Sequence, residues 1–184
     1  MRCIVAAMVL AAVTLLAPPA LASQNDGRLD VLFARLRTTD SAAEATAITR
    51  EIWAIWQQSE SDTVNVLMAK GIDEMSRGNY GAALDVFTQM VEAEPNFAEG
   101  WNKRATVYYL IGEFDASVRD IDRTLALEPR HFGALSGLGF IYLSLGNERA
   151  ALKAFEKALR FNPYLPGART KVEELRRRLH ERSI

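Results

Sequence analysis

The sequence predicts an all-α fold in which antiparallel helix pairs stack one upon the next into a superhelix. Three observations predict it. Pro95, Pro129 and Pro163 stand 34 residues apart, and Gly78, Gly112 and Gly146 keep the same step. Between these markers, apolar residues recur at three- and four-residue intervals, as in a helix with one buried face. A fixed period of this size means a repeated helical pair that buries its apolar stripe only by stacking on a neighbour.

Taken from the N-terminus, residues 1–22 read as a secretory signal outside the fold. Arg2 supplies the positive start, Ile4 to Ala17 form an apolar run, and Pro18-Pro19 break it. Ala20-Leu21-Ala22 then offer a small-x-small cleavage site, with cleavage expected after Ala22. The run of 14 residues is shorter than the roughly 20 needed to span a bilayer. The expected location is periplasmic or secreted, with no membrane insertion after cleavage; retention of the segment as an anchor is the alternative. Cys3 is the one cysteine, so a cleaved chain would hold no disulfide and would rest on helix packing alone.

Residues 23–63 are expected to form an N-terminal helical hairpin. Leu29, Leu32, Phe33 and Leu36 give one stripe, and Ser41 with Glu44 forms a capping box opening a second helix with Ile48, Ile52, Trp53, Ile55 and Trp56. The two tryptophans are expected in the core. Phe33 and Trp53 stand 34 residues before Leu67 and Phe87, which hints at a degenerate fourth repeat. Glu44, Arg37 and Ser61 nevertheless replace its glycine, small residue and proline. The hairpin is expected to cover the open end of the stack.

Three copies follow, at residues 64–97, 98–131 and 132–165. Leu67, Trp101 and Leu135 align as large residues, and Gly71, Ala105 and Gly139 as small ones where two helices approach closely. In the second helix Ala83, Ser117 and Ala151 are the small set, and Phe87, Ile121 and Phe155 the large one. Leu84, Val118 and Leu152 align as well, as do Val91, Leu125 and Leu159. Each glycine of the 78/112/146 set closes an apolar segment, where a left-handed residue ends a helix. Each proline follows a second helix, because the residue before proline is pushed out of helical geometry.

This pattern resembles the tetratricopeptide repeat family. The third copy matches it most fully, through Leu135, Leu138-Gly139, Tyr142, Ala151, Phe155, Ala158 and Pro163. The second copy has Trp101, Ala105, Tyr108, Ser117, Ile121 and Pro129, with Thr124 where alanine is usual; Lys70, Glu74 and Met90 are departures in the first. The resemblance implies a right-handed superhelix whose first helices line a concave groove for a protein or peptide. Residues 166–184 would add a charged capping helix with Val172, Leu175 and Leu179 as its stripe.

Candidates for chemistry are few. His131 is expected to be a solvated turn residue and His180 lies near the chain end. Asp120 and Asp122 point to different sides of one helix, which disfavours a shared metal. No phosphate loop, dinucleotide fingerprint or nucleophile elbow occurs, so the expectation is a non-enzyme without metal or cofactor. A formal net charge of −1 gives no reason to expect nucleic acid as partner. Arg176-Arg177-Arg178 suits a helix C-terminus and its dipole; a docking patch for an acidic partner is the sharper alternative.

The resemblance places Asn65, Met68, Ile72, Met75, Asn102, Thr106, Tyr109, Ser136, Phe140 and Leu143 on the groove. Chaperone-binding members of the family clamp a peptide carboxylate with paired Lys and Asn. Here only Lys103 is near, and Met68, Ile72, Gly133 and Gly137 stand where other polar residues would be expected. A carboxylate clamp is therefore disfavoured. The mostly apolar stripe suits an amphipathic helix or an apolar unfolded segment. The expectation is a non-catalytic adaptor of the cell envelope. Its alternatives are an apolar ligand carrier and a signal-anchored subunit of an envelope complex. Covering of the stripe by the hairpin, or by a second copy in a homo-oligomer, is the competing use of these residues.

Overall fold

The computed structural model describes residues 23–182; the expected signal segment lies outside the described residues. Among the described residues all regular structure is helical. A 3-10 turn at Ser23–Asn25 precedes α1 (Arg28–Thr38), α2 (Ala42–Trp56), α3 (Asp62–Ser76), α4 (Tyr80–Ala93), α5 (Ala98–Leu110), α6 (Phe114–Leu127), α7 (Phe132–Ser144), α8 (Glu148–Phe161) and α9 (Pro166–Glu181). The helix pairs α3–α4, α5–α6 and α7–α8 are the three repeats, and each second helix packs on the first helix of the next pair.

The turn inside each repeat is the same structure made three times. Gly78, Gly112 and Gly146 have φ of 76°, 81° and 72°, a region that strains any side chain with a Cβ. The following residue then donates its N–H five residues back: Asn79 to Glu74, Glu113 to Tyr108 and Asn147 to Tyr142, at 2.8–2.9 Å. This is the Schellman closure, and it satisfies carbonyls that a helix end leaves without partners.

Within a repeat, the small residue of the first helix receives the large ring of the second. A Cβ on Gly139 would lie 2.7 Å from the Phe155 ring, and one on Gly71 would likewise collide with Phe87. Phe87 and Phe155 are fully buried by this fit. In the middle repeat Ala105 and Ile121 make the same join, and the Ser117 hydroxyl there donates to the Ala105 carbonyl at 2.7 Å.

The hairpin α1–α2 departs from expectation. It does not cover the free face of α3–α4, nor does it stack there as a fourth repeat. Leu29, Leu36, Ile48, Ile52 and Trp56 instead share one core with Phe132, Leu135 and Ala158, flanked by Phe161, Tyr164 and Leu165. The hairpin thus runs along the edge formed by the turns between repeats. Gln24 bonds Asn96 at the first such turn, Asp30 pairs with Arg130 at the second, and Asn162 and Tyr164 bond Thr49 and Thr39 at the third.

The physical reason lies in α3 itself. Its Lys70 and Asp73 occupy the positions that Leu138 and Ile141 hold in the third repeat, and both are exposed. Asp73 and Arg77 pair at 2.9 Å. The first repeat already carries a wetted outer face and needs no lid, as terminal repeats must.

At the other end α9 closes the stack with Ala168, Val172 and Leu175 against Ala151 and Phe155. The basic run is largely spent on this joint. Arg176 pairs with Glu156, while Arg178 pairs with both Glu148 and Glu174. Arg182 also reaches Glu148.

Candidate binding groove

Helices α5 and α7 lie side by side, and the space between them is a trough of about 310 Å³. Of the residues placed on the groove from sequence, Asn102, Thr106, Tyr109, Ser136 and Phe140 line it. Ala105, Leu110, Ser117, Ile121, Gly133, Gly137 and Ile141 complete the lining. Most of that surface is hydrocarbon. Phe140 is 36% exposed with its ring edge-on to Phe155, and Tyr109 packs beside Phe114. Gly133 and Gly137 add no side chain to the trough; a Cβ on Gly137 would stand 3.6 Å from Ile121 in its floor.

The other five expected groove residues lie elsewhere. Met68 is 5% exposed and belongs to the core of the first repeat, with Met75 packed beside it. Asn65 is occupied in holding the α2–α3 loop, its amide bonding both the N–H and the carbonyl of Ser59. Leu143 packs toward the α8–α9 core. Ile72 is 40% exposed but does not line the trough.

At the N-terminal ends of α5 and α7 sits a buried polar cluster. Glu99 is 1% exposed and accepts from Asn102 Nδ2 at 2.8 Å. His131 Nε2 lies 3.0 Å from the same carboxylate oxygen, and Lys103 Nζ lies 3.0 Å from the other. Burial pushes the Glu99 carboxyl up, but the His131 hydrogen bond and the Lys103 ammonium outweigh it and hold it below the usual range. His131 Nδ1 accepts the Ala134 N–H at 3.0 Å and so caps α7. The imidazole proton therefore sits on Nε2 and is donated to Glu99.

His131 is thus fully buried rather than the solvated turn residue expected from sequence. Trp56 stacks on it, ring centroids 4.2 Å apart. The signal was present in the repeat: at the 34-residue step His131 aligns with Phe97 and Leu165, an apolar position. Lys103, the cation nearest the groove, has its charge answered by Glu99 and lies over the Trp53 ring at 5.8 Å.

A family model for the tetratricopeptide repeat matches residues 68–118 and 103–166, more than half of the chain. The chain belongs to the tetratricopeptide repeat family. It is 38% identical over 148 residues to a TPR repeat-containing protein of Rhizobium etli, covering 80% of this chain and 71% of that one. To the small glutamine-rich tetratricopeptide repeat-containing protein 2 of Mycosarcoma maydis it is 30% identical over 97 residues, 53% of this chain but 28% of that protein. Among solved structures it is similar to the first TPR domain of Spaghetti (RPAP3) bound to the HSP90 peptide SRMEEVD, with a TM-score of 0.62 and 25% identity. That match covers 66% of this chain and 96% of the Spaghetti domain. In tetratricopeptide terms α5 and α7 are the first helices of the second and third repeats.

Proposed function

We propose that this tetratricopeptide protein is a non-catalytic adaptor that holds a segment of another protein in the α5–α7 trough. The observation that carries this is the lining itself. Tyr109, Leu110 and Phe140 surround a concavity; among the described residues the other exposed large apolar side chains, Val31, Val66, Ile72, Ile111 and Leu145, do not line it. An exposed concave apolar surface with a few convergent polar groups is what a docking segment requires. The pairing of Lys103 with Glu99 favours an apolar occupant over an acidic peptide such as the HSP90 peptide SRMEEVD that the Spaghetti domain binds.

We place the adaptor in the cell envelope, because residues 1–22 carry the positive start, apolar run and small-residue cleavage site of a secretory signal. The mass of the protein isolated from cells tests this: loss of 22 residues supports it, and retention supports the signal-anchored alternative. An apolar ligand carrier is the second possibility, favoured by a trough volume within the range of small-molecule sites. Native mass spectrometry showing a co-purified small molecule would support that alternative.

The adaptor function is tested by Tyr109→Ala combined with Phe140→Ala. Both rings are partly exposed, so each change should cost about 1 kcal/mol of stability, well below the ~3–5 kcal/mol of a fully buried aromatic. Partner capture should fall at least about tenfold. Normal capture with a large loss of melting temperature would show that these rings are core and not docking surface.

A further inference from the structure

Where α1 meets the repeats there is a second, smaller hollow, of about 200 Å³. One face of α1 lines it with Asp30, Phe33 and Arg37, and the repeats add Arg130, Arg160 and Phe161. The Phe33 and Phe161 rings meet edge-on at 6.4 Å and give it hydrocarbon walls. The Arg130 guanidinium lies over Phe33 at 4.7 Å, held by Asp30 at 2.5 Å and Glu128 at 2.9 Å. Its charge is thereby answered. Arg37 and Arg160 differ: both are exposed, and among the described residues neither has an ion-pair or hydrogen-bond partner. Each stands in the last turn of its helix, where the dipole favours a cation. The dipole does not account for both lining one hollow whose own carboxylate, Asp30, is already committed to Arg130.

We propose that this hollow is a docking site for an acidic side chain of a partner protein. Its carboxylate accepts hydrogen bonds from Arg37 and Arg160, and the apolar residue beside it rests on Phe33 and Phe161. The planar guanidinium fork matches a carboxylate in shape and charge. Two magnitudes select this occupant. The volume is below the roughly 300–1,000 Å³ of small-molecule sites, so the hollow admits a side chain or two and not a whole ligand. Two unanswered cations in a concavity also fall short of the about 4–8 clustered Lys and Arg that mark a surface for anionic lipid. The hollow shares no lining residue with the α5–α7 trough, so the proposal stands whether or not the trough is a partner site. It gives the hairpin a part in recognition, through Arg37 and Phe33.

The test uses the full chain and a fluorescent peptide of glutamate, phenylalanine and glycine, capped at both ends, read by anisotropy. At about 0.01 M salt it should bind at least about tenfold tighter than its glutamine counterpart, and the difference should shrink at about 0.15 M. Arg37→Gln/Arg160→Gln should lower the affinity at least about tenfold. Arg119→Gln/Arg149→Gln removes the same charge from exposed positions outside the hollow and should change it less than about twofold. All four arginines are exposed, and matching circular dichroism and melting temperatures verify that each variant keeps its fold. Equal losses in the two arginine pairs would reduce the binding to diffuse charge and overturn the site. Loss in Tyr109→Ala/Phe140→Ala would put the peptide in the trough and overturn it too. Absence of binding, or binding only to phosphatidylserine vesicles through Arg37 and Arg160, overturns the protein occupant.

Discussion

Glu99 carries its charge where water is excluded, and its three partners make that state stable. Because its folded pKa lies below the ordinary 4.5, the stabilisation is complete above that value and is lost as pH falls through the lower folded one. Unfolding free energy measured from pH 7 to pH 3 should therefore drop below about pH 4.5. Glu99→Gln should cost about 1–3 kcal/mol at pH 7, by leaving Lys103 without its counter-charge, and should flatten the acid limb. An unchanged acid limb would mean that other carboxylates govern it. Gly139→Ala is a steric counterpart. Its methyl would meet the Phe155 ring, and the overpacking should lower stability by about 1–3 kcal/mol although alanine is the better helix former. The Gly139–Phe155 fit was legible in sequence as an aligned small–large pair. The turn position and polarity of His131 point to solvent; its burial is carried by its register with Phe97 and Leu165.

At the scale of elements, the helices and their turns follow directly from the 34-residue glycines and prolines, but the seat of the hairpin does not. A stripe such as Leu29, Leu32 and Leu36 says that α1 must be covered and leaves open by what. The determining feature is the polar outer face of α3, with Lys70 and Asp73 in place of Leu138 and Ile141 of the third repeat. The α9 joint shows which force holds an element in place. Its ion pairs are partly or well exposed, with Arg178 at 38% and Arg182 at 67%, and such pairs contribute about 0–1 kcal/mol. Leu175 is fully buried. Glu148→Ala should thus change stability by less than about 1 kcal/mol, and Leu175→Ala should lower it by about 2–5 kcal/mol. Chemical denaturation of the two variants compares them directly; a larger loss for Glu148→Ala would mean that charge, not packing, seats α9.

For the whole molecule, the proposed adaptor function rests on arranging three similar pairs so that α5 and α7 lie on either side of the trough. Five of the twelve lining residues are legible in sequence: Asn102, Thr106, Tyr109, Ser136 and Phe140 fall on one stripe of the repeat. The trough's floor is not, because Ala105 and Ile121 read as seam residues, while Gly133 and Gly137 add no side chain above them. In the first repeat the same stripe serves the core and the loop instead, through Met68 and Asn65. The most direct measurement is site-specific photocrosslinking in intact cells, with the reactive group at Thr106 inside the trough or at Lys157 on the exposed face of α8. A protein crosslinked from Thr106 but not from Lys157, and lost in Tyr109→Ala/Phe140→Ala, is the predicted result. Crosslinking from Lys157 alone, or from Thr106 regardless of the double substitution, would contradict the concave trough as the place where this protein meets its partner.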